Sequence, residues 1–201
     1  ANSLSGTVTI ENQEGGTILG SAYDGNGTGV DAFGYYGVTV NNAGSIAGSS
    51  FNNLAIGVDI YSLDGNATVN NSGHIEAYSL TDDAWGVSVV SRNGDAVVDN
   101  SGSIDAGGYG QAYGVFAVSV YGTASVTNSG SITATSTVFD DAAGVAAIGA
   151  YADVTNTDTG TIDATGKYTV AGVFASGYYG ATVDNAGSIT ATATGGLFGY
   201  D

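Results

Sequence analysis

A phrase built around Asn, a small residue, Gly and Ile recurs seven times along this chain. Its isoleucines, Ile18, Ile46, Ile75, Ile104, Ile132, Ile162 and Ile189, lie 27 to 30 residues apart. A period of that length marks a stacked-repeat architecture, because one repeat cannot bury its apolar face alone and must lie on a neighbour. Each copy carries three landmarks. The first is an alternating segment, from Val8, Ile10 and Asn12 in the first copy to Ala181, Val183 and Asn185 in the last. Period-2 alternation puts those residues on one face and the intervening Thr, Asp, Asn and Ser in water. The second is a glycine turn followed by Ile-x-small, as in Ile104-Asp105-Ala106. The third is x-Gly-Val, as in Trp85-Gly86-Val87 and Tyr113-Gly114-Val115, where the residue before the glycine and the valine are expected on the inner face.

No stripe of 3.6-residue period accompanies these segments, so the repeat is not a helical solenoid. Three short strands per repeat, each followed by a bend, define an all-β fold. It is a right-handed parallel β-helix of seven coils, a single domain over residues 1–201. At one strand spacing per coil its length is about 33 Å. Like residues then stack over like. This predicts an internal column of isoleucines and an internal asparagine ladder whose amides donate and accept along the axis.

Composition narrows the partners. Two cationic residues, Arg92 and Lys167, stand against 19 acidic ones, for a net charge of −17. Nucleic acid and anionic membrane both require Lys or Arg to neutralise phosphate, so neither is an expected partner. No apolar run is long enough to span a bilayer as a helix. With no cysteine and 34 glycines, disulfides and thiolate metal sites are unavailable and tight turns are plentiful.

Aromatic residues recur in two variable corners. One set is Tyr23, Phe51, Tyr78, Tyr109, Phe139 and Tyr168; the other holds Tyr35-Tyr36, Tyr61, Tyr121, Tyr151 and Tyr178-Tyr179. They are expected to pack locally over the corners, with glycan or fibre contacts as the functional alternative. The segments Val98-Asp99-Asn100-Ser101-Gly102-Ser103-Ile104-Asp105-Ala106 and Val126-Thr127-Asn128-Ser129-Gly130-Ser131-Ile132-Thr133-Ala134 resemble repeats of bacterial autotransporter passengers and related secreted adhesin β-helices. The resemblance runs through the whole chain. It implies an extracellular or cell-surface location and a structural or adhesive role, with the β-barrel translocator of such proteins expected to be absent or separate.

The last residues read on into the first. Gly199-Tyr200-Asp201 followed by Ala1 to Asn12 aligns without a gap on Gly57 to Asn71. Seven whole coils, with neither end capped, are expected either to continue in a longer covalent solenoid or to join head to tail with another copy. The assembly interface would be Val8, Ile10 and Asn12 on one side and Val183, Asn185, Phe198, Gly199 and Tyr200 on the other. Lateral pairing of solenoids is a further option.

Catalytic chemistry is thin. Glu76 and Asp105 share an outward column about 5 Å apart, a spacing that suits a retaining glycosidase pair, but the column continues as Thr133, Asp163 and Thr190 with neither Arg92 nor Lys167 beside it. The one histidine, His74, occupies a column otherwise Ser or Thr and reads as an exposed variant. No catalytic residues and no cofactor are expected. The only metal candidates are weak: Asp82, Asp83, Asp140 and Asp141, loop carboxylates that could hold Ca²⁺ through oxygen. The expected function is that of a non-enzymatic extracellular structural protein, a unit of a head-to-tail β-solenoid fibre. The alternative is a passenger segment of a surface adhesin that binds a glycan or host protein.

Overall fold

The computed structural model describes residues 1–138 and 141–195, and over these the chain is a parallel β-solenoid without helices. Each coil contributes a strand to three columns. The asparagine column runs from Val8–Asn12 through Val38–Asn42, Ala67–Asn71, Ala96–Asn100 and Thr123–Asn128. The isoleucine column is a seven-stranded sheet from Thr17–Ala22 to Ser188–Ala193. The valine column holds Gly27–Gly34, Ala55–Ser62, Ala84–Ser91 and Ala112–Ser119. All pairing is between successive coils and parallel, with equivalent residues in register, so Ile75 pairs Ile104 and Ile104 pairs Ile132.

The core follows from alternation. In Ala67–Asn71 and Thr123–Asn128 every second residue is buried, and the outward partners are Thr, Ser or Asn. Ile46, Ile75, Ile104, Ile132 and Ile162 are fully buried in one continuous cluster with Val40, Val69, Val98, Val126 and Val154. The expected isoleucine column is therefore present.

Two features depart from the sequence expectation. In the valine column the residue before the glycine does not share the inner face with the valine. Ladder pairing steps from Trp85 to Val87 and from Tyr113 to Val115, passing over the glycine. Gly86 itself faces inward: a Cβ there would lie 2.5 Å from Ile104 Cγ2. The same approach joins Gly57 to Ile75, Gly114 to Ile132, Gly144 to Ile162 and Gly172 to Ile189. Each isoleucine thus fills the space where the facing glycine lacks a side chain. Two consecutive inward positions, Gly86 then Val87, break the alternation and turn Trp85 and Tyr113 to the outside.

The second departure is in the strand count. In the last two coils the valine and asparagine strands fuse into single bent strands, Ala142–Asn156 and Val170–Asn185. Ile148 pairs Val118 and Tyr151 pairs Thr123, so the corner Ser119–Gly122 shrinks to Gly149 and Ala150, too few residues for a separate turn. One extra residue on the next coil then shifts the register between Gly149 and Tyr151.

Corners with full turns are closed by buried serines. Ser91 Oγ accepts the Gly94 N–H at 3.0 Å and donates to Gly65 O of the preceding coil at 2.9 Å; Ser119 repeats this with Gly122 and Gly94 at 2.8 and 2.7 Å. Ser50 and Ser79 do the same at the opposite corner. A hydroxyl, donor and acceptor at once, ties a turn to itself and to the coil below.

Candidate functional site

The asparagine ladder is a regular buried polar array that runs through successive coils. Each Nδ2 donates to the Oδ1 of the next coil, from Asn12 to Asn42 and onward to Asn185, at 2.8 to 2.9 Å. The second N–H of each amide reaches the carbonyl that opens the next isoleucine strand, as in Asn42 to His74 O at 3.1 Å and Asn100 to Ser131 O at 3.1 Å. All these amides point the same way, so the ladder has a polarity. Donors face the C-terminal coil and acceptors face the N-terminal one. Asn12 lies at the acceptor end; Asn185 lies at the donor end and bonds Gly187 O at 3.3 Å.

Of the expected assembly residues, Val8 and Asn12 are buried and Ile10 packs against the core, paired with Val38, Asn42 and Val40. Val183 is 50% exposed, and both Val183 and Asn185 pair with the coil below, through Val154 and Asn156. Phe198, Gly199 and Tyr200 lie outside the described residues. At the other end, Asn2 and Ser3 pair Phe33 and Gly34, which in turn pair Tyr61 and Ser62. That is the register given by aligning the chain's end and beginning on Gly57–Asn71.

Of the Ca²⁺ candidates, Asp83 and Asp141 do not converge. Asp83 O accepts the Ala55 N–H, Gln111 O that of Ala84 and Asp141 O that of Ala112, so Asp83 and Asp141 stand two coils apart with Gln111 between. Asp83 Oδ1 is engaged by the Gln111 N–H at 2.7 Å, and Asp140 lies outside the described residues. Among the described residues no group of three His, Cys, Asp or Glu side chains is placed to hold a metal ion.

Glu76 and Asp105 are register partners on the outer face, followed by Thr133, Asp163 and Thr190. His74 is more connected than its place in the sequence indicated. Its Nδ1 lies 2.7 Å from Ser103 Oγ and 3.5 Å from Asp105 Oδ2, and its Nε2 lies 3.7 Å from Glu76 Oε2. Ser, His and carboxylate are the residue types of a nucleophilic triad, yet 3.7 Å is beyond hydrogen-bond range for the carboxylate that would orient the ring. The sequence signal was available: His74, Glu76, Ser103 and Asp105 occupy alternate positions of adjacent strands.

The aromatic residues form short inter-coil stacks. Tyr23 and Phe51 lie 4.7 Å apart and nearly parallel, Phe33 and Tyr61 5.6 Å apart, and Tyr151 and Tyr179 5.6 Å apart. A third group was missed because Trp85 and Tyr113 were assigned to the inside. Trp85, Tyr113 and Phe116 cluster on the outer face of the valine column with centroids 5.5 to 6.0 Å apart. Burial first, then Asp141 and Asp83, push the Tyr113 phenol above its ordinary value. A separate shallow groove of about 470 Å³ runs beside the asparagine strands, lined by Glu11, Asn41, Asn70, Asp99 and Thr127 among others. Its wall carries an outer chain in which Asn41 Nδ2 donates to Glu11 at 2.6 Å and Asn70 Nδ2 to Asn41 at 2.7 Å.

The geometry defines a β-solenoid with an aliphatic core and a buried asparagine ladder along one bend. The chain matches no protein-family model, no curated protein and no solved structure.

Proposed function

We propose that this chain is a non-enzymatic structural protein of the bacterial cell surface, the unit of a fibre in which one solenoid continues into the next. The carrying observation is the polarity of the asparagine ladder: its donor end and its acceptor end are complementary when copies join head to tail. The extracellular setting rests on the resemblance of the coils to autotransporter passenger repeats and on the cysteine-free, strongly acidic composition. At the joint, Asn185 would donate to Asn12 of the following copy, and Val8 and Ile10 would cover the coil that bears Val183. Each strand hydrogen bond gained there contributes about 1 kcal/mol net.

Like-charged units repel, so salt, or Ca²⁺ acting as a screening ion, should promote growth. Negative-stain microscopy of the purified chain at low and high salt tests the reading. The expected result is filaments with an axial repeat of about 33 Å, lost in Ile10→Lys. A chain that stays monomeric at high concentration in both salts overturns it. The groove beside Asn41 and Asn70 favours a second reading, an adhesive passenger segment that holds a glycan through its amides and carboxylates. Glycan-array binding by the monomer would select it.

A further inference from the structure

The outer face of the valine column contains a slot created by two alanines. Phe116, Ala146 and Phe174 are register partners in three successive coils, as are Tyr113, Ala143 and Ala171. The two phenylalanines therefore stand two strand spacings apart, about 9.5 Å, with Ala146 as the floor between them. The resulting cavity is about 220 Å³, and its lining adds Asp141 and Thr169 to these side chains. It lies within the stack and is walled by coils on both sides.

Three properties select an occupant. A cation seated over Ala146 lies one strand spacing, about 4.8 Å, from the strand that bears each phenylalanine, and an aromatic ring attracts a cation within roughly 6 Å. The acidic residue of the lining is Asp141, whose charge acts on the neighbouring Tyr113. The surrounding molecule carries −17, so its field concentrates cations at such a slot. A neutral sugar would gain ring contacts but find few hydrogen-bond partners, namely Asp141, Thr169 and the Tyr113 hydroxyl.

We infer that the slot between Phe116 and Phe174 binds an organic cation of the alkylammonium class, with the ammonium carbon groups against the two rings and Asp141 as counter-ion. The cation is either a free onium compound or the side chain of a lysine on another protein. The Tyr113 phenol, raised first by burial and then by the Asp141 and Asp83 charges, stands on the same rim. The inference is independent of fibre assembly, because the slot belongs to a single solenoid.

Trp85 is the chain's only tryptophan and touches both Phe116 and Tyr113, so its emission reports on the slot wall. The full chain is titrated with tetramethylammonium, with N-acetyl-lysine methylamide, with the neutral 3,3-dimethylbutan-1-ol and with a methyl glycoside. Saturation-transfer NMR on the ligand methyls serves as a second readout. Saturable binding of either cation, about tenfold tighter than that of the neutral alcohol, supports the assignment. Which cation binds tells the free source from the side-chain one. Ala146→Phe, which continues the ring stack and fills the slot, should abolish binding; Asp141→Asn should weaken it several-fold with the circular dichroism unchanged. Equal binding of the neutral alcohol, binding that survives Ala146→Phe, or a response to the glycoside alone would overturn it.

Discussion

At the scale of single residues, the molecule rests on side chains that serve two coils at once. Asn100 accepts from Asn71 and donates to Asn128 Oδ1 and Ser131 O, so its loss strands a buried donor below and a buried acceptor and carbonyl above. Asn100→Leu is expected to lower unfolding free energy by about 1–3 kcal/mol, measured by urea denaturation. Asp59 shows the opposite economy. It stands between Asp31 and Ser88 in register, and burial first, with the Asp31 charge adding and the Ser88 hydroxyl opposing, raises its carboxyl above the ordinary 3.8. A raised folded-state value means the folded chain binds the proton more tightly than the unfolded one. The favourable contribution is complete below 3.8 and is lost as pH rises through the raised value, so ionised Asp59 is destabilising at neutral pH. Asp59→Asn should raise the melting temperature at pH 7 and leave it nearly unchanged at pH 3. A mutant gain that persists at pH 3 would contradict this.

At the scale of the strand, the glycine of the valine column and the isoleucine of the facing column are one structural unit. A Cβ at Gly86 would meet Ile104 Cγ2 at 2.5 Å and Gly114 O at 2.6 Å, whereas at Gly107 it would meet only Tyr78 ring carbons, the nearest at 3.4 Å. Gly86→Ala is therefore expected to cost on the order of 1–3 kcal/mol through overpacking, while Gly107→Ala is close to neutral; thermal melts of the two variants side by side check the contrast. The same coupling shows where sequence reading succeeds and fails. The asparagine and isoleucine strands were legible because strict alternation assigns a face to every residue. The valine strand was not, because Gly86 and Val87 both turn inward and alternation then puts Trp85 on the wrong side. The aromatic cluster and its alanine slot were hidden by that one inversion. The serine relays were hidden for a different reason: Ser62, Ser91 and Ser119 recur in register, but serine is so common at turns that only the inter-coil bond to Gly65 or Gly94 distinguishes them. The fused strands left a sequence trace in the shortened corner at Gly149-Ala150, a length difference that alignment on the isoleucines alone passes over.

At the scale of the whole molecule, stability should be a sum over coils and their nearest-neighbour contacts, because every pairing runs between successive coils. Deleting Ser72–Asn100 tests this directly. Asn71 and Asn100 are register partners, so the excision joins Asn71 to Ser101 and restores every column with one coil fewer. The shortened chain is expected to fold with the same far-UV circular dichroism shape. Its denaturant m-value should fall by about one-seventh, in proportion to the surface no longer exposed on unfolding. Removing only Ser72–Trp85 should abolish folding, since half a coil places isoleucine strands over valine strands and opposes the glycines to the wrong partners. If the whole-coil deletion fails to fold, or keeps the parent m-value, the coils are not the independent units that the stacking implies. The same variant bears on assembly. A fibre that grows by adding coils to coils should accept the shorter unit, because the terminal coils carrying Asn12 and Asn185 are untouched. Its axial repeat should contract by one strand spacing, about 4.8 Å. A contact made elsewhere on the surface would leave no reason for the repeat to shorten by that step.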